Sequence, residues 1–425
     1  MIKVLHIIPR WIGGGPERHL IELARQDRLH HRNVNRRVLV LDRPLSAPLF
    51  VKARKFGMSL VGEPWIEVVN QEIENADLVD VTYWNHPLML QLLLRPLPEC
   101  RIVFHAAIAG NTLPQILFPD LTHYPDAWVL TAPYGHGATH LNTQHSTLIA
   151  HIPALADMTR LETYSPRTHA GIRASYLGSL TPSKLNSKFP DIVARVDQAV
   201  HFDLFGDADD HSLEQLSAVL RRRELNKRVS IRGHVEDIAE ALAKTDIFVY
   251  PLNPESYATS EKSLQEAMWL GVPPIMLAGT AAAGWIENGV NGFLAPDEAS
   301  FAEIVNHLAF NPTRRRQIGL AAMEYARRNF DPGTNAMKLH EMYTSVMRIP
   351  KRVREPLFLK TTTGFEIFLH SINLNQTDLM RRLKVSHEVS DKSNFQLVRS
   401  EGGVLHYLKH YPGDVGLSEM AATVL

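Results

Sequence analysis

The stretch P-L-N-P-E-S-Y-A-T-S-E-K-S-L-Q-E-A-M-W-L-G-V-P-P runs from Pro251 to Pro274 and follows an apolar, β-branched run, Ile247 to Tyr250. Pro251 and Pro254 stop the run, Ser, Glu and Lys crowd the next positions, and a helical pattern closes at Gly271. The spacing predicts strand, loop, helix. Carboxylates Glu255, Glu261 and Glu266 and hydroxyls Thr259, Ser260 and Ser263 gather where a helix start offers free N–H groups and partial positive charge. Such a start is suited to a phosphate.

Working outward, the same alternation fills the neighbouring sequence. Strand candidates are Ala174 to Leu177, His201 to Phe205, Val229 to Arg232, Pro274 to Leu277 and Gly292 to Leu294, followed by helical patterns Ser300 to Phe310, Pro312 to Asn329 and Gly333 to Met347. The first half repeats the architecture with Val4 to Ile8, Val38 to Leu41, Leu78 to Thr82, Ile102 to His105, Trp128 to Thr131 and Thr147 to Ile152. Buried-type strands alternating with helices predict parallel sheets covered on both faces. After Val4 to Ile8 come Gly13, Gly14, Gly15, Pro16 and Glu17, read as a glycine loop opening a helix, with a plain tight turn as the alternative. G-G-G-P-E-R matches neither the dinucleotide fingerprint nor the P-loop, which argues against nicotinamide and NTP-hydrolysis chemistry. His105 ends its strand, where open α/β sheets place ligands.

The expected domains are 1–165, 166–347 and a small C-terminal extension, 348–425, docked on the body. The boundaries follow a polar connector from Tyr164 to Thr168 and a basic linker, K-R-V-R-E-P. Lys+Arg and Asp+Glu both number 45 in 425 residues, so no global charge points to nucleic acid or a membrane surface. One cysteine, Cys100, excludes an internal disulfide and fits a reducing compartment. No apolar run approaches the ~20 residues of a membrane span, and the opening run is too short for a signal segment. A cytoplasmic protein is expected, with peripheral contact to anionic lipid through Arg221–Arg223 or Arg314–Arg316 as an alternative to plain solvated faces. Asp207-Ala208-Asp209 has the spacing of a metal-binding D-x-D, which also occurs by chance. Of the 21 histidines, His30, His31, His201, His211 and His234 lack i, i+4 pairing with a carboxylate, so no zinc site is expected.

Glu266-Ala267-Met268 with Gly271-Val272-Pro273, Gly206-Asp207, Gly233-His234-Val235 and the Gly13–Glu17 loop together resemble the GT-B glycosyltransferases, family 4, most closely from Tyr176 to about Met347. The resemblance implies two Rossmann-like domains facing across a cleft. It also implies retaining transfer of a sugar from a nucleoside diphosphate donor, UDP or GDP type, to a hydroxyl acceptor, with no obligatory metal or other cofactor. Carried over by position, Glu266 would bind the donor ribose and Lys184 of G-S-L-T-P-S-K the diphosphate. Gly14 and Gly15 would approach donor phosphate or acceptor, and His105 would touch the sugar. Ser260 and Ser263 join the nucleotide-binding set, while His105, Lys184 and Glu261 form the catalytic set.

Two positions depart from the family pattern. Ala258 stands where an acidic residue usually faces the sugar, and Ser179 where an arginine usually precedes the lysine. Glu255 or Glu261 could replace the first and Lys188 the second. A non-catalytic nucleotide-sugar or partner-binding module is the alternative reading, and an epimerase on the same scaffold is a third. Trp84-Asn85-His86-Pro87, after a strand end, is either an acceptor contact or a packed loop.

Overall fold

The computed structural model describes residues 1–425 apart from 44, 134–147, 163, 165, 167–168, 236, 258, 359–362, 389–392 and 425, and of 384–395 and 424 only the backbone where it is described. Ala258, Thr147 and Thr168 therefore lie outside the described residues. The chain divides into two compact units, residues 1–155 with 333–425, and residues 156–332.

The first unit is built on a parallel sheet ordered Leu148–His151, Ala127–Leu130, Ile102–Ala106, Leu78–Tyr83, Ile2–Ile8, Val34–Val40, Ser59–Gly62. Its central strands are buried on both faces, which explains their continuous apolar runs. Ser59–Gly62 forms an edge strand that the hydrophobic pattern does not announce, because an edge strand needs no doubly buried run.

The second unit has the sheet Val229–Gly233, Val200–Phe205, Ile172–Leu177, Ile247–Tyr250, Pro274–Leu277, Phe293–Ala295, again parallel throughout. From Ile172–Leu177 the chain winds outward through two strands and then returns to the opposite side of the first. The ends of Ile172–Leu177 and Ile247–Tyr250 thus form the point where strand order reverses, the place where open α/β sheets bind ligands. Helix Lys262–Trp269 follows, burying Leu264, Ala267 and Met268 in the core. The burial of Leu264 and of Met268 contributes roughly 1.5–3 kcal/mol each. Gly271, at φ +75, ends the helix.

The helix expected to close the second domain, Pro332–Val346, falls with the first unit instead. Ala336, Leu339, Tyr343 and Val346 pack with Val4, Leu23, Leu78 and Val103, so the apolar face of that helix completes the first core. The C-terminal segment belongs to the same unit. Arg352–Arg354 pairs antiparallel with Leu97–Cys100, and Arg354 is buried against the Asp126 carboxylate.

Candidate active site

In the second unit, the loop after Ile172–Leu177 carries Lys184 and the loop after Ile247–Tyr250 carries Glu261, and the two side chains meet at 2.7 Å, Nζ to Oε2. The loops are fixed by each other's backbone: the Asn253 amide donates to the Lys184 carbonyl at 2.8 Å, and Asn253 Nδ2 to the Pro182 carbonyl at 2.7 Å. The loop ends of Ile172–Leu177 and Val200–Phe205 lie so close that a Cβ on Gly206 would strike the Gly178 carbonyl, and Gly206 has a φ of +146. Only glycine fits there.

Glu261 also accepts a hydrogen bond from the Tyr250 hydroxyl, which lies 3.3 Å from Ser263 Oγ. Burial first, and then the Glu261 carboxylate, push the Tyr250 phenol well above its ordinary range, so it remains a donor. Gln265 Nε2 donates to Ser260 Oγ at 2.7 Å. Glu266, in the helix Lys262–Trp269, is 1% exposed and ion-paired through Oε1 with Arg160. Lys184, Ser260, Glu261, Ser263 and Glu266 are therefore grouped on the loop and first turns beyond one strand end and its neighbour. Arg160 and Tyr250 are functional candidates that motif reading misses. Arg160 lies outside any motif, and Tyr250 reads as an ordinary buried strand residue.

This arrangement has a chemical consequence. The lysine that would neutralise a diphosphate is neutralised by Glu261, and a diphosphate arriving at Lys184 competes with that carboxylate. A cation poised between a fixed carboxylate and an incoming anion can stabilise charge developing on a leaving phosphate without large reorganisation. Ser179, in the usual arginine position, instead bonds Thr181 Oγ1 at 2.9 Å and supplies no charge. Of the three possible substitutes, Glu255, Glu261 and Lys188, the last pairs with Glu298 at 3.5 Å. Asp209 of the D-x-D accepts the Ser212 amide as the N-cap of Asp210–Arg222, and Asp207 contacts His234 at 3.1 Å, both ordinary structural roles.

The first unit holds Gly14, Gly15 and His105. Gly13, at φ +111, is the loop glycine that geometry demands, whereas a side chain at Gly15 would meet nothing within 4 Å. Glu17 is buried, accepts the Ile12 amide at 2.9 Å, and would touch a methyl at Gly14 at 3.0 Å. His105 is buried, its ring 4.6 Å from that of His19, and its Nε2 has no hydrogen-bond partner among the described residues. Burial holds its pKa below the ordinary value. Beneath it, Arg36 donates to His6 Nε2 at 2.9 Å, which leaves the His6 proton on Nδ1, 3.9 Å from Asp80. Asp80 accepts from Tyr343.

Two parallel α/β units, the second with a lysine and a buried glutamate at its strand-order reversal, define the GT-B class. Residues 173–311 match the family model described as Glycosyl transferases group 1. Among solved structures, the Anabaena protein HepE in complex with UDP and glucose aligns with a TM-score of 0.66 at 18% identity, covering 81% of this chain and 100% of that one. Sucrose-phosphate synthase from Thermosynechococcus elongatus gives 0.63 at 14% identity, covering 82% and 100%. WaaG, a glycosyltransferase involved in lipopolysaccharide biosynthesis, gives 0.59 at 15%, covering 80% and 99%. No curated protein matches the chain. The chain has the GT-B fold, and the match of residues 173–311 to the glycosyl transferases group 1 model agrees with the resemblance read from the motifs. Among the described residues no helix is long and apolar enough to cross a membrane.

Proposed function

We propose that this protein is a retaining glycosyltransferase that moves a sugar from a nucleoside diphosphate donor to a hydroxyl acceptor. The observation that carries the reading is the grouping of Lys184, Glu261 and Glu266 at the strand-order reversal of a unit that matches group 1 glycosyl transferases. Glu266, buried and oriented by Arg160, is the acceptor for donor hydroxyls. Lys184 binds the diphosphate and stabilises it as it leaves. Retention needs no protein nucleophile: the leaving phosphate takes the acceptor proton on the face from which it departs, and the protein contributes position and electrostatics. Glu261, held by Tyr250, orients the sugar in place of the family's usual acidic residue. His105 and the Gly13–Gly15 loop belong to the sugar and acceptor side. The reading includes no metal for the transfer chemistry, a cytoplasmic setting, and work on polysaccharide or lipid-linked glycan.

HepE is solved with UDP and with UDP-glucose, which makes a UDP-sugar the first donor to try. The test is a thermal-shift panel of UDP, GDP and ADP with their sugars, followed by NMR product analysis. A ligand at 100 times its dissociation constant stabilises a fold by about 2.7 kcal/mol. A donor response in wild type that Lys184→Ala abolishes, together with a retained anomeric configuration in the product, is expected. Nucleotide binding without transfer to any hydroxyl would replace the enzyme with a binding module.

A further inference from the structure

A second cluster of chemistry-bearing side chains lies in the first unit, apart from every residue assigned above. Asp42 follows the strand Val34–Val40, and His86 caps the helix Pro87–Leu93 just beyond the strand Leu78–Tyr83. His406 and His410 sit one turn apart on the helix Val404–His410, which puts both on one face. Each of the four offers one ligand atom, and these atoms all lie within 4.8 Å of one another. Asp42 Oδ2 is 3.7 Å from His86 Nε2 and 3.4 Å from His410 Nε2. Neither contact is a hydrogen bond, and among the described residues all three buried atoms lack a hydrogen-bond partner. Polar atoms left unmatched in the interior are destabilising until something fills the place between them. Their separations approach the edge of a tetrahedron with metal–ligand bonds of about 2.0–2.1 Å.

We propose that Asp42, His86, His406 and His410 bind one divalent ion of the zinc class, in a closed four-ligand site that fastens the C-terminal segment to the sheet of its own unit. Three imidazoles and one carboxylate favour zinc over magnesium or calcium, which prefer oxygen ligands. Four protein ligands leave no open position, so the ion is structural, distinct from the transfer chemistry. Burial keeps the three rings neutral, the form that ligates, with His86 lowered to about 4. Arg10, whose charge reaches all three rings, is itself paired with Glu401. His86 Nδ1 accepts the Leu88 amide at 3.2 Å; metal on Nε2 moves the ring proton to Nδ1, so loading exchanges that long contact for a coordinate bond. Next to the cluster, Tyr407 donates to Asn85 Oδ1 at 2.7 Å, which holds the helix and the loop in register for the ligands.

The test uses the full-length chain freed of any histidine tag. Inductively coupled plasma mass spectrometry after dialysis against zinc is expected to give one retained equivalent. Cobalt(II) in its place is expected to give the intense visible bands of a tetrahedral site, and a chelator is expected to lower the thermal midpoint. His410→Gln and Asp42→Asn should each lose the equivalent, with zinc affinity down by at least about 100-fold, whereas the exposed His30→Gln/His31→Gln pair keeps it. Wild type that retains no stoichiometric zinc and gives no tetrahedral cobalt spectrum would overturn the proposal and leave a water-filled polar cluster. So would His410→Gln that binds zinc like wild type, or loss of the metal in the His30/His31 variant. The cobalt titration of wild type decides the matter even where a ligand variant does not fold.

Discussion

The two units put different things at the carboxyl ends of their central strands. In the second, the side chains of Lys184 and Glu261 remain 28% and 11% exposed and carry opposite charge. In the first, the loop after Leu78–Tyr83 is covered by the chain's own C-terminal segment. Asn85 and His86 are fully buried, and Asn85 bonds Ser371, Tyr407, Gln115 and the Pro114 carbonyl. The same architectural position thus holds in one unit a partly exposed pair of opposite charges and in the other an internal fastening. Topology marks where a ligand is able to bind; the residues beyond the strand decide whether the place is kept for one.

Removing Lys184 should separate the two roles most sharply. Lys184→Ala is expected to lower kcat/KM by ~10³, about 4 kcal/mol, with the fold unchanged by circular dichroism; wild-type turnover would move the diphosphate elsewhere. Next in size is the fastening. Asn85→Ala takes away the side-chain partner of the Tyr407 hydroxyl and of the Pro114 carbonyl, and should cost the first unit about 3 kcal/mol, read as a lower urea midpoint. A midpoint within error of wild type would mean that apolar packing alone holds the segment. Glu261→Gln should divide binding from catalysis: UDP binds several-fold tighter once Lys184 loses its fixed carboxylate, while kcat falls roughly tenfold, about 1.4 kcal/mol. Tighter binding with undiminished kcat would reduce Glu261 to a plug.

The smallest effect is on acid stability. His6 and His105 have folded pKa values lowered from the ordinary 6.5 by burial, reinforced at His6 by Arg36 and His105. As pH falls through 6.5 the unfolded chain takes up protons that the folded chain refuses. The stability these groups contribute is complete above that value and is lost below it, toward the lower folded pKa values. His105→Gln should flatten the fall of the thermal midpoint between about pH 5 and 6.5; an unchanged profile would remove His105 as a cause.

Legibility tracked the range of the determining interactions. Doubly buried strands such as Ile247–Tyr250 and Pro274–Leu277 coincide with their apolar runs because burial on both faces leaves no other composition. Glu266 and Lys184 were visible through a local motif. Arg160 was not, since its role arises from a contact with Glu266 that no spacing encodes. The zinc-class cluster shows the same limit. His406 and His410 have the one-turn spacing, but their carboxylate comes from the far end of the chain, so a search for histidines near acidic residues passes over them. The edge strand Ser59–Gly62 and the membership of Pro332–Val346 were settled by tertiary packing.

The first unit is sewn from two separated stretches, 1–155 and 333–425, while the second is one continuous insert, 156–332. On a ribosome the insert can reach its native state as soon as it emerges, but residues 1–155 must wait for 333–425 to be translated. Until then the strand Leu97–Cys100 lacks its partner and Asp80 lacks Tyr343. Nascent chains arrested before residue 333 should therefore show a protease-resistant insert and a digestible amino-terminal part, an order of maturation opposite to the order of synthesis.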